Sequence, residues 1–175
     1  MNRKGLICIN TGNGKGKTTA AIGTAIRAAG QGFNVLILQF MKGQKNIGEL
    51  KALAKIDLPI TIKQCGRQGF IHNKDDKSID IELAQAGLKD FDEAVTSRAF
   101  DLIILDEINM AVDFGLLSIS DVLERITRKP PELHLILTGR NAGKEIIEVA
   151  DLVTEMKEIK HPYHKGIMAQ KGIEF

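Results

Sequence analysis

The chain has 175 residues, of which 43% are apolar and 26% charged, as is usual for a soluble globular protein, and we expect a single domain over residues 1–175. Its 24 basic and 22 acidic residues give a net charge of +2, which does not favour a nucleic-acid partner. No apolar run approaches the ~20 residues of a membrane helix, and no signal peptide is recognisable, so we expect a cytoplasmic protein with no membrane contact.

Six apolar runs, rich in β-branched residues, alternate with segments of helical spacing. Their continuous apolar character is typical of strands that are buried on both faces. The alternation predicts an α/β protein with a mostly parallel sheet of about six strands and helices on both faces. The predicted strands are 6–9, 35–40, 60–62, 102–105, 133–137 and 152–153, and the predicted helices are 17–29, 48–53, 78–97, 116–127 and 144–150.

A glycine-rich turn, residues 10–19, follows the first predicted strand and precedes the first helix. This order, together with Gly16-Lys17-Thr18, is that of a phosphate-binding P-loop, in which the lysine neutralises phosphate and the hydroxyl binds Mg²⁺. Backbone N–H groups and the helix dipole add to the attraction. The standard spacing requires a glycine at position 11, where this chain has Thr11, and the glycine is Gly12. The loop is therefore one residue short, and a turn without a ligand is the alternative.

Polar side chains follow the second and fifth predicted strands. Gln39 and Lys42 lie at the end of the second strand, and Arg140 follows the fifth. Residues just past the carboxyl ends of parallel strands point into the usual ligand crevice, and a guanidinium there could grip phosphate oxygens. Arg27, in the first predicted helix, is a further candidate. For each of the four, a solvated side chain is the alternative interpretation.

A polar stretch from residue 66 to 77 predicts a long loop. Phe70 within this loop either anchors it on the core or covers a flat ligand, and the residues alone favour anchoring. His72 by itself is typical of a protein surface. His161 and His164, three residues apart near the end of the chain, could be metal ligands, but no third ligand accompanies them and a packed loop is preferred.

The fourth predicted strand ends in the acid pair Asp106-Glu107. An acid at the end of a buried strand beside a P-loop can hold Mg²⁺ directly or through water. The second carboxylate could then fix a helix or a substrate hydroxyl. Helix capping by Asp106 is the alternative. Together with the P-loop, the pair predicts a magnesium–nucleotide protein, but hydrolases, kinases and transferases all use these parts.

These motifs resemble, in order along nearly the whole chain, those of the ATP:cob(I)alamin (corrinoid) adenosyltransferases of cobalamin biosynthesis and salvage. The shortened P-loop and the closing Ala169-Gln170-Lys171-Gly172-Ile173-Glu174 are specific to that family, whereas the acid pair and Thr138-Gly139-Arg140 are common elsewhere. The matching segments are 11–21, 39–43, 48–49, 105–107, 138–140, 150–156, 160–162 and 166–174.

The resemblance implies a three-layer, P-loop NTPase-like (RecA-like) fold and a defined reaction. The 5′-deoxyadenosyl group of ATP would pass to the Co(I) of cobalamin or a corrinoid precursor, with release of triphosphate. It also implies Mg²⁺ or Mn²⁺, a reductase that supplies Co(I), and a homodimer. The family is known for binding ATP in the reverse sense along the loop, with which a short loop is compatible.

The resemblance also assigns roles to residues. Lys17 and Glu107 are the expected catalytic residues, and Thr18, Asp106 and Glu107 the expected metal ligands. Phe70, His72, Gln39 and Lys42 are expected to contact the corrinoid. ATP is expected to be bound by Gly12, Asn13, Gly14, Lys15, Gly16, Lys17, Thr18, Thr19, Arg27 and Arg140.

Two features depart from the family pattern. Members often carry an N-terminal extension that folds over the corrinoid, and only residues 1–4 precede the first strand-like run here. There is no tryptophan, and His72 stands where a tryptophan can occur. One alternative function is a P-loop kinase or ATPase, which would yield ADP rather than triphosphate. Another is a non-catalytic nucleotide- or corrinoid-binding module, in which substitution of Lys17 could not lower a catalytic rate.

Overall fold

The computed structural model describes residues 4–69 and 77–174, and these share one six-stranded sheet. All its strand pairs are parallel, so the α/β prediction is confirmed, as are the six predicted strands. The strands are β1 (Ile7–Thr11), β2 (Val35–Phe40), β3 (Ile60–Cys65), β4 (Leu102–Asp106), β5 (His134–Thr138) and β6 (Leu152–Glu155).

The order of the strands is β3-β2-β4-β5-β1-β6. One strand, β5, therefore separates β1, which precedes the glycine-rich turn, from β4, which ends in Asp106. The register aligns the carboxyl ends of these strands, pairing Asn10 with Thr138 and Gln39 with Asp106. Because the strands are parallel, the turn and the acid pair open onto the same edge of the sheet.

Six α-helices connect the strands over the described residues: α1 (Lys17–Gly30), α2 (Gly48–Leu53), α3 (Ser78–Ser97), α4 (Ile108–Asp113), α5 (Ile119–Thr127) and α6 (Lys144–Glu148). The short helix α4 was not predicted. The fifth helix was predicted from residue 116 but begins at Ile119, because Ser118 caps it by accepting a hydrogen bond from the Asp121 N–H at 3.0 Å. Helix α6 was predicted to extend to residue 150 but ends at Glu148. A 3₁₀ helix spans Pro162–Lys165.

Two apolar clusters cover the two faces of the sheet and make the fold three-layered. Alternate residues of each central strand face opposite clusters: Leu36, Leu38 and Phe40 join one, whereas Val35 and Ile37 join the other. The first cluster includes the apolar faces of α3, α4 and α5. The second is built on the small residues of α1, whose Ala21, Ala25 and Ala29 are buried and allow the helix to lie close to the sheet.

Helix α1 therefore packs directly behind the glycine-rich turn that precedes it, and the fold delivers the positive end of this helix to the carboxyl edge of the sheet. Strand β6 forms one edge of the sheet and is exposed along its whole length. None of the helices within residues 4–69 and 77–174 has the length and apolar character needed to span a membrane.

Candidate active site

A cavity of about 830 Å³ opens at the carboxyl edge of the sheet, next to the glycine-rich turn. Its volume lies within the range of small-molecule sites. The P-loop, the loops after β2, β4 and β5, and the end of the chain all contribute to its walls. The lining residues are Gly14, Lys15, Gly16, Lys17, Thr18, Thr19, Ile22, Met41, Lys42, Gly48, Glu49, Gly69, Glu107, Met110, Phe114, Arg140, His161, Gly172, Ile173 and Glu174.

Lys17 lies at the base of the turn, where it begins α1 and is only 8% exposed. Its ammonium donates hydrogen bonds to the carbonyl oxygens of Gly12 at 2.7 Å and Gly14 at 2.6 Å. Burial lowers the pKa of Lys17 from its ordinary value, and the nearby carboxylate of Glu107 opposes that shift. The turn thus holds the partly desolvated Lys17 ammonium against the carbonyl oxygens of Gly12 and Gly14. Bound phosphate oxygens could replace these carbonyl oxygens as its acceptors.

The glycines of the turn are required by the close approach of the chain just after β6. The Gly14 N–H donates to the Met156 carbonyl at 2.6 Å. A Cβ at Gly14 would lie 2.7 Å from that same oxygen, and one at Gly12, whose φ is +91°, would lie 2.6 Å from it. Gly16, at φ +105°, is the N-cap of α1. The backbone just after β6 therefore constrains the shape of the shortened loop.

The Gly14→Ala variant is expected to be less stable, by about 1–3 kcal/mol, because its methyl group would overlap the Met156 backbone. Gly23→Ala, in the same helix-and-turn unit, is the matched control: nothing lies within 4 Å of a Cβ there, and alanine should stabilise α1 by about 0.5–1 kcal/mol. Urea unfolding measures both. Equal stability of Gly14→Ala and the wild type would refute the close packing.

Asp106 is the centre of a buried polar cluster and its side chain is 1% exposed. Its Oδ1 accepts hydrogen bonds from the hydroxyls of Thr18 at 2.8 Å and Thr138 at 2.6 Å. Its Oδ2 accepts from Gln39 Nε2 at 3.1 Å and Lys42 Nζ at 2.8 Å. An ionised carboxylate has about four acceptor positions, so these four donors use its whole capacity. Helix capping, the alternative for Asp106, is not observed, since Glu107 is the N-cap residue of α4.

Glu107 adopts a left-handed conformation, with φ +61°, that turns the chain from β4 into α4. Its N–H donates to the Thr138 hydroxyl at 2.9 Å, and its carboxyl group lines the cavity. Burial raises the pKa of Glu107, and the neighbouring carboxylate of Asp106 raises it further, while Lys42, Lys17 and Arg140 oppose the shift. The carboxyl group thus faces the ligand space in surroundings that disfavour its charge.

Thr18 and Asp106 suit a hard divalent cation. Both offer oxygen ligands, and Thr18 Oγ1 lies 2.8 Å from Asp106 Oδ1, so one ion could contact both or reach Asp106 through water. Over the described residues there is no cluster of three or more His, Cys, Asp or Glu side chains suited to a metal.

Most predicted ATP-binding residues lie around the cavity, and Arg140 lines it from the loop after β5. Lys15 also lines it and forms an ion pair with Glu174, which ties the end of the chain to the P-loop. Asn13 is exposed and does not line the cavity. Arg27 is exposed in the last turn of α1, about 15 Å along the helix axis from Lys17. The structure does not bring Arg27 into the site, in agreement with its alternative as a solvated charge.

Gln39 has no exposed surface and does not line the cavity, and its contact with the corrinoid stays a prediction. Its amide instead donates to Asp106, and its carbonyl oxygen accepts from Gln64 Nε2 at 3.2 Å. The strand is buried on both faces at this point, which the sequence position alone did not reveal. Lys42 lines the cavity as expected. Phe70 and His72 lie outside the described residues.

Several lining residues were not predicted from the sequence. Met110 and Phe114, on and just after α4, and Met41, after β2, give the cavity an apolar wall. Met110 and Phe114 are four residues apart, a spacing that places two side chains on one face of a helix. This spacing could have indicated the wall only if α4 had been predicted. The buried Thr138 hydroxyl connects Asp106 to the Glu107 backbone. Thr138 belongs to the Thr138-Gly139-Arg140 motif, but its sequence position alone does not indicate this role.

Together, the turn at the start of α1, the acid pair one strand away and the shared cavity define a P-loop nucleotide-binding protein. A model of the family described as ATP:corrinoid adenosyltransferase BtuR/CobO/CobP matches residues 3–175. The chain belongs to this ATP:corrinoid adenosyltransferase family, which confirms the resemblance.

Individual relatives agree with the family match. A corrinoid adenosyltransferase from a Sinorhizobium species is 37% identical over 99% of this chain and 82% of its own length. That from Pseudomonas aeruginosa is 37% identical over 99% of this chain and 85% of its own length. Corrinoid adenosyltransferase CobA of Salmonella typhimurium is 33% identical over 100% of this chain and 88% of its own length.

Proposed function

We propose that this chain transfers the 5′-deoxyadenosyl group of ATP to the Co(I) centre of a reduced corrinoid and releases triphosphate. The observation that carries the proposal is the shared cavity, in which a P-loop lysine and an acid pair lie together in a chain of the adenosyltransferase family. The nucleophilic cobalt supplies the electron pair of the new Co–C5′ bond. The C5′–O bond breaks, and its electron pair leaves with the triphosphate.

The triphosphate is the leaving group, and its negative charge must be neutralised. Lys17, the loop amides and Arg140 are the groups that hold it in this proposal. Thr18 and Asp106 are the residues that would hold Mg²⁺ or Mn²⁺. When bound, that ion supplies positive charge that stabilises the departing phosphates. Glu107 lies in the same cavity. In this proposal its ionised carboxylate accepts a hydrogen bond from a ribose hydroxyl.

In this reaction the ribose carbon, rather than the γ-phosphate, has to face the second substrate. We therefore propose that ATP lies along the loop in the reverse of the usual P-loop direction. The one-residue shortening and the contact of Gly14 with the chain after β6 give the loop a shape of its own, which supports this orientation. A nucleotide-bound structure with ATP in the usual P-loop direction would exclude it.

The apolar wall formed by Met41, Met110 and Phe114 would limit the access of water to the Co(I) centre. The remaining parts of the proposal are a reductase that delivers Co(I), a homodimeric state in which a partner subunit helps to cover the corrinoid, and a cytoplasmic location. A single domain over residues 1–175 is in keeping with the one sheet that the described residues share.

An anaerobic assay with the protein, MgATP and chemically reduced cobalamin tests the function. We expect loss of the Co(I) spectrum, formation of an adenosylated corrinoid and release of one triphosphate per corrinoid. A P-loop kinase or ATPase would form ADP instead. Equal consumption of ATP with and without corrinoid, or an unchanged Co(I) spectrum, would refute adenosyl transfer.

Glu107→Gln is expected to increase stability at neutral pH while lowering activity. A carboxyl whose pKa is raised on folding binds its proton more tightly in the folded state, so stability falls as pH rises from its ordinary pKa to the raised one. Above that window the ionised carboxylate lowers the stability of the folded state. The neutral amide of the Glu107→Gln variant removes this cost. We expect a higher Tm at pH 7.5 and no gain at pH 4. Adenosyl transfer should be roughly 10²-fold slower, because the charged acceptor for the ribose hydroxyl is lost.

The exposed Glu82, on α3, provides the control for this change. Glu82→Gln should leave the Tm at pH 7.5 and the rate of adenosyl transfer unchanged. A Glu107→Gln protein with a lower Tm than the wild type at pH 7.5 would contradict the raised pKa, whereas an unchanged rate would contradict the contact with substrate.

A further inference from the structure

The Lys42 ammonium lies where a divalent metal ion is expected in the P-loop site. Its Nζ lies 2.8 Å from Asp106 Oδ2 and 3.2 Å from Thr18 Oγ1. A P-loop hydroxyl and the acid at the end of the neighbouring strand are the two protein groups that a Mg²⁺ ion uses in such a site. The ammonium of this chain therefore contacts Thr18 and Asp106, two of the three residues that the resemblance assigns to the metal.

The four donors to Asp106 differ in their freedom to leave. Thr138 and Gln39 have no exposed surface and are fixed in the sheet. Thr18 and Lys42 are partly exposed and line the cavity. Since the four donors use the acceptor capacity of the carboxylate, a metal ion can contact Asp106 only after one leaves. Thr18 is itself an assigned metal ligand, which leaves Lys42 as the group to be displaced.

The backbone of Lys42 is anchored, whereas its side chain is free to reorient. A Cβ at Gly66 would lie 2.5 Å from the Lys42 N atom, which shows how closely the two loops pack. Beyond this anchor, the lysine side chain is a flexible four-carbon stem that ends in a compact charge. It lines the same cavity as Lys17 and Arg140, so phosphate oxygens bound there would offer the displaced ammonium new acceptors.

We propose that Lys42 is a tethered cation that exchanges with the divalent metal. In the free enzyme it neutralises Asp106 and donates to Thr18. When the metal–triphosphate group binds, Lys42 gives up Asp106 and moves its charge onto the triphosphate oxygens. This inference rests on the proposed metal site but not on adenosyl transfer, and it replaces a corrinoid contact as the role of Lys42.

The exchange predicts two opposite effects of one substitution. In Lys42→Met the competitor for Asp106 is absent, so the nucleotide-free protein should bind Mn²⁺ about tenfold more tightly. The same protein lacks a cation for the triphosphate, so it should bind preformed Mn²⁺–triphosphate about tenfold more weakly. A residue that only stabilised the loop would weaken both. Lys42→Gln, which keeps a neutral donor, should show the same two effects and serves if the methionine variant does not fold.

Titration of the free Mn²⁺ signal by electron paramagnetic resonance measures the first effect, and calorimetry with Mn²⁺–triphosphate measures the second. Neither requires corrinoid or turnover, so failure of the adenosyl transfer assay leaves this test intact. Lys63→Met is the remote control, since Lys63 pairs with Asp90 on α3, and it should change neither affinity. Arg140→Met tests for a general loss of positive charge.

We expect Arg140→Met to weaken Mn²⁺–triphosphate but to change Mn²⁺ binding to the free protein less than Lys42→Met does. Unchanged or weaker Mn²⁺ binding by both Lys42 variants overturns the exchange. An equal gain in Mn²⁺ affinity with Arg140→Met also overturns it, because the gain would then follow from the loss of any positive charge near the site. Unchanged affinity for Mn²⁺–triphosphate overturns the transfer of Lys42 to phosphate. Absence of Mn²⁺ binding by every protein would overturn the proposed metal site as well.

Discussion

Lys17→Met is expected to lower the kcat/KM of adenosyl transfer by about 10³-fold, or about 4 kcal/mol of transition-state stabilisation. In the structure the Lys17 ammonium is nearly buried, between the carbonyl oxygens of Gly12 and Gly14. It is therefore held where the leaving triphosphate is proposed to bind. Methionine keeps the length and apolar stem of the side chain but removes the charge that the departing group requires.

Lys15→Met is the matched control, because Lys15 belongs to the same loop, lines the same cavity and carries the same charge. Its ammonium is more exposed and is paired with Glu174. Because the exposed Lys15 ammonium is screened by solvent, its attraction for phosphate should be about as weak as that of other exposed charge pairs, about 0–1 kcal/mol, and we expect less than a tenfold loss of activity. Both are measured from the decay of the Co(I) spectrum under anaerobic conditions. Comparable losses in the two variants would show that position within the loop is unimportant and would contradict the role of Lys17.

Asp106→Asn is expected to lower the free energy of unfolding by about 3 kcal/mol and to weaken Mn²⁺–triphosphate binding by at least about tenfold. The Asp106 carboxylate accepts two hydrogen bonds on each oxygen. An asparagine amide has only one acceptor oxygen. With its NH₂ group towards Gln39 and Lys42 it faces two donors, and with its NH₂ group towards Thr18 and Thr138 both hydroxyls must reorient and lose their acceptor. The Lys42 ammonium, 2.8 Å away, would also lose its counter-ion.

Asp90→Asn provides the comparison, because Asp90 also pairs with a lysine, Lys63, but at the surface of α3. Solvent screening makes such a pair contribute little, and we expect a change below about 1 kcal/mol. Urea unfolding gives the stability of both variants, and calorimetry the affinity. If Asp106→Asn is as stable as the wild type, the buried cluster does not depend on the negative charge.

Local pattern was sufficient for strand β2 and helix α2. The β2 segment Val35–Phe40 is buried at every position, and the α2 segment Gly48–Leu53 is identical to its predicted range. The P-loop was recognised because its chemistry is carried by adjacent residues. The same holds for the acid pair, which follows four apolar residues directly. These features needed no knowledge of distant parts of the chain.

Helix α4 shows where local pattern failed. It has six residues, its N-cap makes no side-chain hydrogen bond, and it starts from Glu107 in a left-handed conformation. Nothing in its own sequence sets that start. The Thr138 hydroxyl, 31 residues later in the chain, accepts the Glu107 N–H and fixes the turn. Met110 and Phe114 were therefore missed as lining residues, because their helix depends on a contact between strands.

The sequence by itself determined the type of fold, the P-loop, the acid pair and the family resemblance, because each is written in residues that are close along the chain. The tertiary structure decided how the side chains are used. Parallel register placed Gln39 beside Asp106 and buried it, and packing turned Lys42 towards Thr18. The shortened loop, which the sequence marked only by the position of Gly12, owes its shape to Met156 after β6, 144 residues further along the chain. Contacts between residues so far apart leave no local pattern, since the sheet order alone brings them together.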